Sequence, residues 1–280
     1  MQQFEHLMSP LIIDDLVIRN RIVFPAIHTG YTESDGRISP KMEYFYGEIA
    51  RGGAGLIIVG ATAVSRQGML YYETPCIDDD RVAEGLVGVF KTIREHGSVP
   101  AIQLAHGGRQ SWMAFKGETI FAPSPIPCPV VKIAPKELSM EEIQTIEDQF
   151  AEGTLRAKNA GADMVQIHGA HGYLVHQFLS PLTNRRTDEY GGSLNNRMRF
   201  LLNIVKKCRE KVGPHFLLSC RINGEDFLNG GFGLNEAVQV ARALADEGIH
   251  FLDVSGGVRG SEEARNKAMA SGGFRTLART

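Results

Sequence analysis

Two histidines and a tyrosine follow one apolar run of this chain at short spacing. The segment Met164-Val-Gln-Ile-His-Gly-Ala-His-Gly-Tyr173 contains His168, His171 and Tyr173. Imidazole and phenol side chains can hydrogen-bond a substrate oxygen and transfer a proton. The three residues are therefore candidates for a site that stabilises charge on an oxygen while a proton moves.

The apolar run before His168 predicts a buried β-strand. Gly161-Ala-Asp163 precedes it, and the run itself is rich in β-branched residues. His168 then falls at the carboxyl end of the strand, where parallel α/β folds place their active sites. The predicted position is one at which chemistry is expected.

A recurring unit positions this segment: a helix end, a glycine, an apolar strand and a small-residue turn. Glycines of this kind end helices in the left-handed conformation, and β-branched runs suit strands covered on both faces. Three copies occupy residues 51–60, 160–169 and 247–256, and further strands are predicted over Ile22–Ala26, Val99–Leu104 and Phe216–Ile222. Leu11–Ile18 predicts a hairpin under the barrel.

Five amphipathic helices alternate with these strands. Ser139-Met-Glu-Glu142 has the pattern of a capping box, which marks the start of the third helix. The predicted helices are Pro40–Ala50, Asp79–His96, Ser139–Asn159, Asn195–Val212 and Leu234–Asp246, with a further helical pattern over 261–270.

The alternation of strands and helices predicts an α/β fold, either a (β/α)8 barrel or a doubly wound sheet. The turn Pro25-Ala-Ile-His-Thr-Gly30 after the first strand lacks G-x-G-x-x-G, which favours the barrel. Long loops over 105–138 and 169–194 consume much of the chain, and 272–280 is too short for two further units. We therefore predict one TIM-barrel-type domain over 1–280, with an N-terminal hairpin and about six of eight βα units, lacking the last two.

Composition argues against several kinds of partner. The chain has 280 residues, 43% of them hydrophobic, and a formal net charge of −2, so no basic surplus favours nucleic acid or anionic membranes. Its four cysteines are scattered, as is usual in a reducing cytoplasm. The N-terminus carries neither a basic leader nor an apolar signal segment. A soluble, cytoplasmic protein without a nucleic-acid or membrane partner is expected.

Several separated motifs resemble the old yellow enzyme family of FMN-dependent NADH:flavin oxidoreductases. They are Ile18-Arg-Asn-Arg-Ile-Val-Phe-Pro25, Gln103-Leu-Ala-His-Gly-Gly-Arg109, His168-Gly-Ala-His-Gly-Tyr173, Phe178–Gly192, Arg221-Ile-Asn-Gly-Glu-Asp226 and Asp253-Val-Ser-Gly256. The resemblance implies FMN as cofactor and NADH or NADPH as reductant. It also implies hydride transfer to an activated C=C bond of an enone or enoate, near the 2,4-dienoyl-CoA reductase and 2-enoate reductase branch.

The resemblance also implies where FMN binds. Gln103 would meet the donor and acceptor edge of the flavin ring, because its amide both donates and accepts. Arg221 would place its charge near the reduced ring; otherwise a buried arginine there needs a carboxylate partner. The remaining cofactor contacts implied are Pro25, Ala26, Ile27, His28 and Ala61.

For catalysis, the resemblance implies that His168 and His171 hydrogen-bond the substrate oxygen while Tyr173 protonates the α-carbon. Segment 183–190 is expected to be packed scaffold. Asn223, Glu225 and Asp226 follow Arg221 at the barrel mouth, where they could position substrate, although solvation in a loop is the expectation. Arg109 could meet the flavin or substrate edge.

Two other functions stay open. One is a truncated, non-catalytic barrel remnant that binds no flavin. The other is a metal-dependent hydrolase in which His168, His171 and His176 share a divalent ion, since imidazole is a common metal ligand. An incomplete barrel further predicts a homo-oligomer or a complementing C-terminal chain, because open strand edges seek partners.

Overall fold

The computed structural model describes residues 4–33 and 37–270, and ten β-strands lie in these ranges. In chain order they are β1 (Leu11–Ile13), β2 (Leu16–Ile18), β3 (Val23–Phe24), β4 (Leu56–Ala63), β5 (Val99–Ala105), β6 (Phe121–Ala122), β7 (Lys136–Glu137), β8 (Met164–Gly169), β9 (Leu217–Glu225) and β10 (Phe251–Gly256). Six of them form one parallel sheet in the order β10-β9-β8-β5-β4-β3. This is the strand order of the predicted barrel. The interpretation of 272–280 concerns residues outside these ranges.

The predicted helices all form within one or two residues of their expected bounds. The α-helices are α1 (Glu5–Met8), α2 (Pro40–Arg51), α3 (Asp80–Glu95), α4 (Met140–Asn159), α5 (Leu174–Leu179), α6 (Leu194–Val212), α7 (Leu234–Asp246) and α8 (Glu262–Ala270). Arg66–Gly68, Gly108–Gln110 and Trp112–Lys116 form 3₁₀ helices. The capping box is confirmed, with Ser139 Oγ accepting from Glu142 N at 3.1 Å and Ser139 N donating to Glu142 Oε2 at 2.8 Å.

The outer face of the sheet packs against the helices. Ile102, Leu104, Val165 and Ile167 are fully buried there and belong to the main apolar cluster with Phe150 of α4. Burying each such side chain contributes about 1.5–3 kcal/mol. The residues that alternate with these on the same strands therefore face the barrel interior.

The inner face is apolar at the amino end of the strands. Val99, Ala101, Met164 and Leu217 form a cluster that the β1–β2 hairpin covers through Leu11, Ile13 and Leu16. The antiparallel pairing of Leu11 with Ile18 confirms the predicted hairpin, and its packing closes this end of the barrel.

Towards the carboxyl ends of the strands the inner face becomes polar. Gln103, Gln166 and Ser219 share one register level, and His168, Arg221 and Asp253 share the next. Gln103, Gln166, Ser219 and Asp253 each lie two residues beyond an apolar one on the same strand. The change in residue type along the strands therefore places a polar site at this end.

Within the described ranges, no helix is long and apolar enough to cross a membrane.

Candidate active site

His168 lies at the carboxyl end of β8, as predicted, and faces the barrel mouth. It is 4% exposed, and its Nδ1 is buried without a hydrogen-bond partner among the described residues. Burial, together with the nearby charges of His171 and Arg221, holds the pKa of His168 well below its ordinary value. The imidazole is therefore neutral at neutral pH and retains a hydrogen-bonding nitrogen for a bound molecule.

His171 follows in the loop after β8. Its ring centroid is 5.2 Å from that of His168, and its Nε2 is 2.6 Å from Ser255 Oγ of β10. The two imidazoles lie close enough to contact one small polar group together. The structure thus brings the predicted histidine pair together.

Tyr173 completes the predicted trio, with its ring centroid 5.1 Å from that of His168. It packs against an apolar cluster that contains Ala61 and Ala105. Burial and the neighbouring Tyr71 raise the pKa of Tyr173, although the charge of Arg259 acts in the opposite direction. The phenol is therefore protonated at neutral pH and can donate its proton.

Tyr71 and Arg259 belong to this site, although no sequence pattern pointed to them. Arg259 Nη2 donates to Tyr71 Oη at 3.2 Å, across 188 residues of chain. The Tyr71 ring also lies 4.7 Å from that of His28 and 5.3 Å from that of Trp112. The sequence shows an arginine shortly after a predicted barrel strand, but it does not show that this arginine contacts Tyr71.

A row of polar side chains crosses the strands beneath the histidines. Gln103 Nε2 donates to Gln166 Oε1 at 2.6 Å, and Gln166 Nε2 donates to Ser219 Oγ at 3.3 Å and Asp253 Oδ2 at 3.5 Å. Burial raises the pKa of Asp253, although Arg221 and Gln166 act in the opposite direction. The predicted Gln103 and Arg221 therefore belong to one connected row.

Arg221 has the carboxylate partner that the sequence did not reveal. Its Nε lies 3.2 Å from Asp253 Oδ2, an ion-pair distance at which the N–H does not point at the oxygen. The burial of Arg221 is thus explained by Asp253, and burial alone no longer argues for a bound anion.

Of the remaining predicted cofactor residues, Ala26 lies beside Gln103 of this row. Ala26 and Ala61 are small and buried, whereas Ile27 is 41% exposed. A Cβ on Gly60 would lie 3.0 Å from Gln103 Cβ and 3.1 Å from Ala26 Cβ, so any side chain at position 60 would crowd these two residues.

His28 turns away from the polar row, with Nε2 3.4 Å from Thr74 Oγ1. Burial lowers its pKa, with Glu73 acting in the opposite direction. Pro25 lines a cavity of ≈ 290 Å³ on the inner face of the sheet, together with Gln166, Ser219 and Asp253.

The expected solvation of Asn223 and Asp226 is wrong. Both are buried, and His176 Nε2 lies 2.8 Å from Asp226 Oδ1. Burial would raise the pKa of Asp226, but His176 and hydrogen bonds from Ser180 and Phe232 lower it to about 2. Glu225, at the end of β9, is half-buried.

The metal hypothesis is not supported. His176 pairs with Asp226 instead of joining His168 and His171 around an ion. Over residues 4–33 and 37–270, no group of three or more His, Cys, Asp or Glu side chains is arranged to hold a metal.

Two arginines, Arg186 and Arg109, hold loops of the chain. Segment 183–190 is packed scaffold, as expected, because Arg186 is buried and donates to Pro123 O, Leu138 O and Asp188. Arg109 instead donates to the backbone oxygens of Ile126 and Pro127, so it holds a loop.

The buried pair of His176 and Asp226 is expected to contribute strongly to stability. Asp226→Ala should lower the free energy of unfolding by about 3–5 kcal/mol, because His176, Ser180 and Asn223 lose a buried acceptor. Urea denaturation measures it. Asp148→Ala is the control, since Asp148 forms an exposed ion pair with Lys207, which should contribute little. Equal losses in the two variants would contradict the prediction.

The chain is similar in sequence to known oxidoreductases. A profile of the NADH:flavin oxidoreductase / NADH oxidase family matches residues 6–271. The chain is 40% identical over 260 residues to an NADH oxidase of Thermoanaerobacter brockii, covering 92% of this chain and 40% of that protein. It is 42% identical over 253 residues to an NADPH dehydrogenase of Geobacillus sp. WCH70, covering 90% of this chain and 73% of that protein.

The fold comparison gives the same family. The structure of the old yellow enzyme homologue from Zymomonas mobilis superposes with a TM-score of 0.82 at 27% identity, covering 89% of this chain and 73% of that one. This confirms the predicted TIM-barrel type. By profile, sequence and fold, the chain belongs to the NADH:flavin oxidoreductase family, which includes the old yellow enzymes.

Proposed function

We propose that this chain binds FMN and uses NADH or NADPH to reduce an activated C=C bond of a small α,β-unsaturated carbonyl compound, an enone or enoate. The observation that carries the proposal is the neutral, buried His168, which has an unpaired Nδ1 and stands beside His171 and Tyr173. Family membership supports the cofactor and the reductant. The chain spans only 40% of the NADH oxidase it resembles, so the activity of that whole protein enters here as a proposal.

The polar row fits one edge of a flavin ring. That edge presents alternating donors and acceptors, and the Gln103 amide offers both. Arg221 brings a permanent positive charge to the next level of the barrel, which would favour the anionic reduced ring. Gln103, Arg221 and the small Ala26 and Ala61 are therefore the residues that would hold the ring.

When bound, FMN would supply the hydride chemistry that couples oxidation of NAD(P)H to reduction at the β-carbon of the acceptor. His168 and His171 hydrogen-bond the substrate oxygen and stabilise the negative charge that develops there. Tyr173 then donates its proton to the α-carbon, because its raised pKa keeps the phenol protonated. Hydride and proton thus reach opposite ends of one double bond.

Both edge strands of the described sheet carry exposed apolar side chains. Val23 is 46% exposed at β3 and Leu252 is 39% exposed at β10, the two outermost strands of the described sheet. Unpaired strand edges with apolar side chains favour pairing with another chain. We propose that residues 1–280 act as one FMN-binding barrel domain, and that a second copy or a complementing chain covers these edges.

The flavin assignment is tested at Arg221. Arg221→Ala should weaken FMN binding about 10- to 100-fold, the loss expected for a charge-assisted hydrogen bond. Titration of the apoprotein with FMN, followed by flavin fluorescence, measures the dissociation constant. The control is the double variant Arg221→Gln/Asp253→Asn, in which neutral side chains replace both members of the ion pair.

The double variant separates two roles of Arg221. If the positive charge holds FMN, affinity stays low in both variants. Recovery of wild-type affinity in the double variant would show that Arg221 serves only to neutralise Asp253, and would contradict its role in binding.

A further inference from the structure

His171 and Gly172 form a turn that an ordinary residue does not adopt readily. Their φ angles are 61° and 78°, both in the left-handed region. That region costs little for glycine but is unfavourable for histidine, so surrounding contacts must hold His171 there. The same backbone directs the His171 ring towards His168 and Ser255.

Three side-chain amides from three separate elements hold this turn. Asn223 Oδ1 of β9 accepts from His171 N at 3.1 Å, and Gln110 Nε2 donates to His171 O at 2.8 Å. Gln177 Nε2 of α5 donates to Gly172 O at 2.6 Å. All three amides are buried. We call Gln110, Gln177 and Asn223 the amide clamp.

Each clamp amide is fixed by a partner at its other end. Asn223 Nδ2 donates to Asp226 Oδ1 at 3.1 Å, and Gln110 Oε1 accepts from Arg259 Nε at 3.1 Å. Gln177 Oε1 accepts from Arg109 N at 3.2 Å. Rotating any of these amides by half a turn would place donor against donor and acceptor against acceptor, so one orientation is selected.

We propose that the amide clamp is a set of positioning residues, which hold His171 in its left-handed conformation so that its imidazole and that of His168 meet one substrate oxygen. The oxygen contact rests on the proposed function, whereas the positioning of His171 does not. Asp226 and Arg259 act one step further out, through Asn223 and Gln110. Arg259 also reaches Tyr71 beside Tyr173, which links the clamp to the proton donor.

The clamp is tested with near-isosteric apolar substitutions, Gln110→Met and Asn223→Leu. Asn184→Leu is the matched control, because Asn184 is also a buried amide that bonds two backbone carbonyls, those of Phe178 and Tyr190, in another loop. Imidazole ¹⁵N–¹H spectra and backbone hydrogen exchange of histidine-labelled apoprotein report on His171 without FMN. The dissociation constant of 4-nitrophenol and the rate of enone reduction are then measured on FMN-saturated protein.

Both clamp variants should shift the imidazole signals of His171, and Asn223→Leu should speed exchange of the His171 amide proton. On FMN-saturated protein, 4-nitrophenol binding should weaken about tenfold and enone reduction should slow roughly 10²-fold, as expected when a group is misplaced by about 1 Å. Reduction of the flavin by NAD(P)H should not change.

Unchanged His171 signals in both clamp variants would overturn the proposal, as would equal changes in Asn184→Leu, since these would indicate general loosening of the fold. If wild-type protein binds neither FMN nor 4-nitrophenol, the proposed function fails, while the spectra and the exchange rates of the apoprotein still decide the clamp.

Discussion

Tyr173→Phe is expected to slow the oxidation of the reduced protein by an enone about 10²- to 10⁴-fold, the contribution of a positioned general acid. Reduction by NAD(P)H should remain nearly unchanged, because that half-reaction requires no proton from Tyr173. Stopped-flow absorbance of the flavin measures the two half-reactions separately.

The substitution removes one hydroxyl and leaves the ring that packs on Ala61 and Ala105. Tyr190→Phe is the matched control, since the Tyr190 hydroxyl is also inside the protein but donates to Glu147 of α4, in the core on the helix side of the sheet. It should alter neither half-reaction. If Tyr173→Phe slows both half-reactions equally, the phenol has a structural role and the assignment as acid fails.

His168→Ala is expected to lower the rate of enone reduction by about 10²- to 10³-fold, as is found when one hydrogen-bond donor to a developing oxyanion is removed. The same variant should bind 4-nitrophenol more weakly, because the oxygen of this phenol resembles the substrate oxygen that becomes negatively charged during reduction. Burial keeps the His168 imidazole neutral, and a neutral imidazole carries one N–H that can donate to the oxygen.

His250→Ala is the control for loss of an imidazole. The Nδ1 of His250 accepts from Leu218 N, at the amino end of the strands and away from the barrel mouth. In His250→Ala, the rate of enone reduction and the affinity for 4-nitrophenol should be unchanged. Retention of 4-nitrophenol affinity in His168→Ala would show that His171 alone, or another group, binds the oxygen.

The sequence determined the elements and the place of the site. Apolar runs with period two or near 3.6, together with glycines and the capping box at Ser139, predict each parallel strand and long helix. These patterns depend on neighbours within a few residues, so they can be read along the chain. The change from apolar to polar residues along β5, β8 and β9 places the site at their carboxyl ends. The short helix α5 was missed, since six residues are too few for a helical period to show.

Only the tertiary structure decided which side chains meet within the site. The pairing of Arg221 with Asp253 depends on the register of β9 against β10, and the contact of Arg259 with Tyr71 joins opposite parts of the chain. Asn223 and Asp226 look like solvated loop residues in sequence, but packing against His176 buries them. Local propensity carries no information on such contacts, because their energy comes from groups that the folded barrel brings together and from the burial it imposes on them.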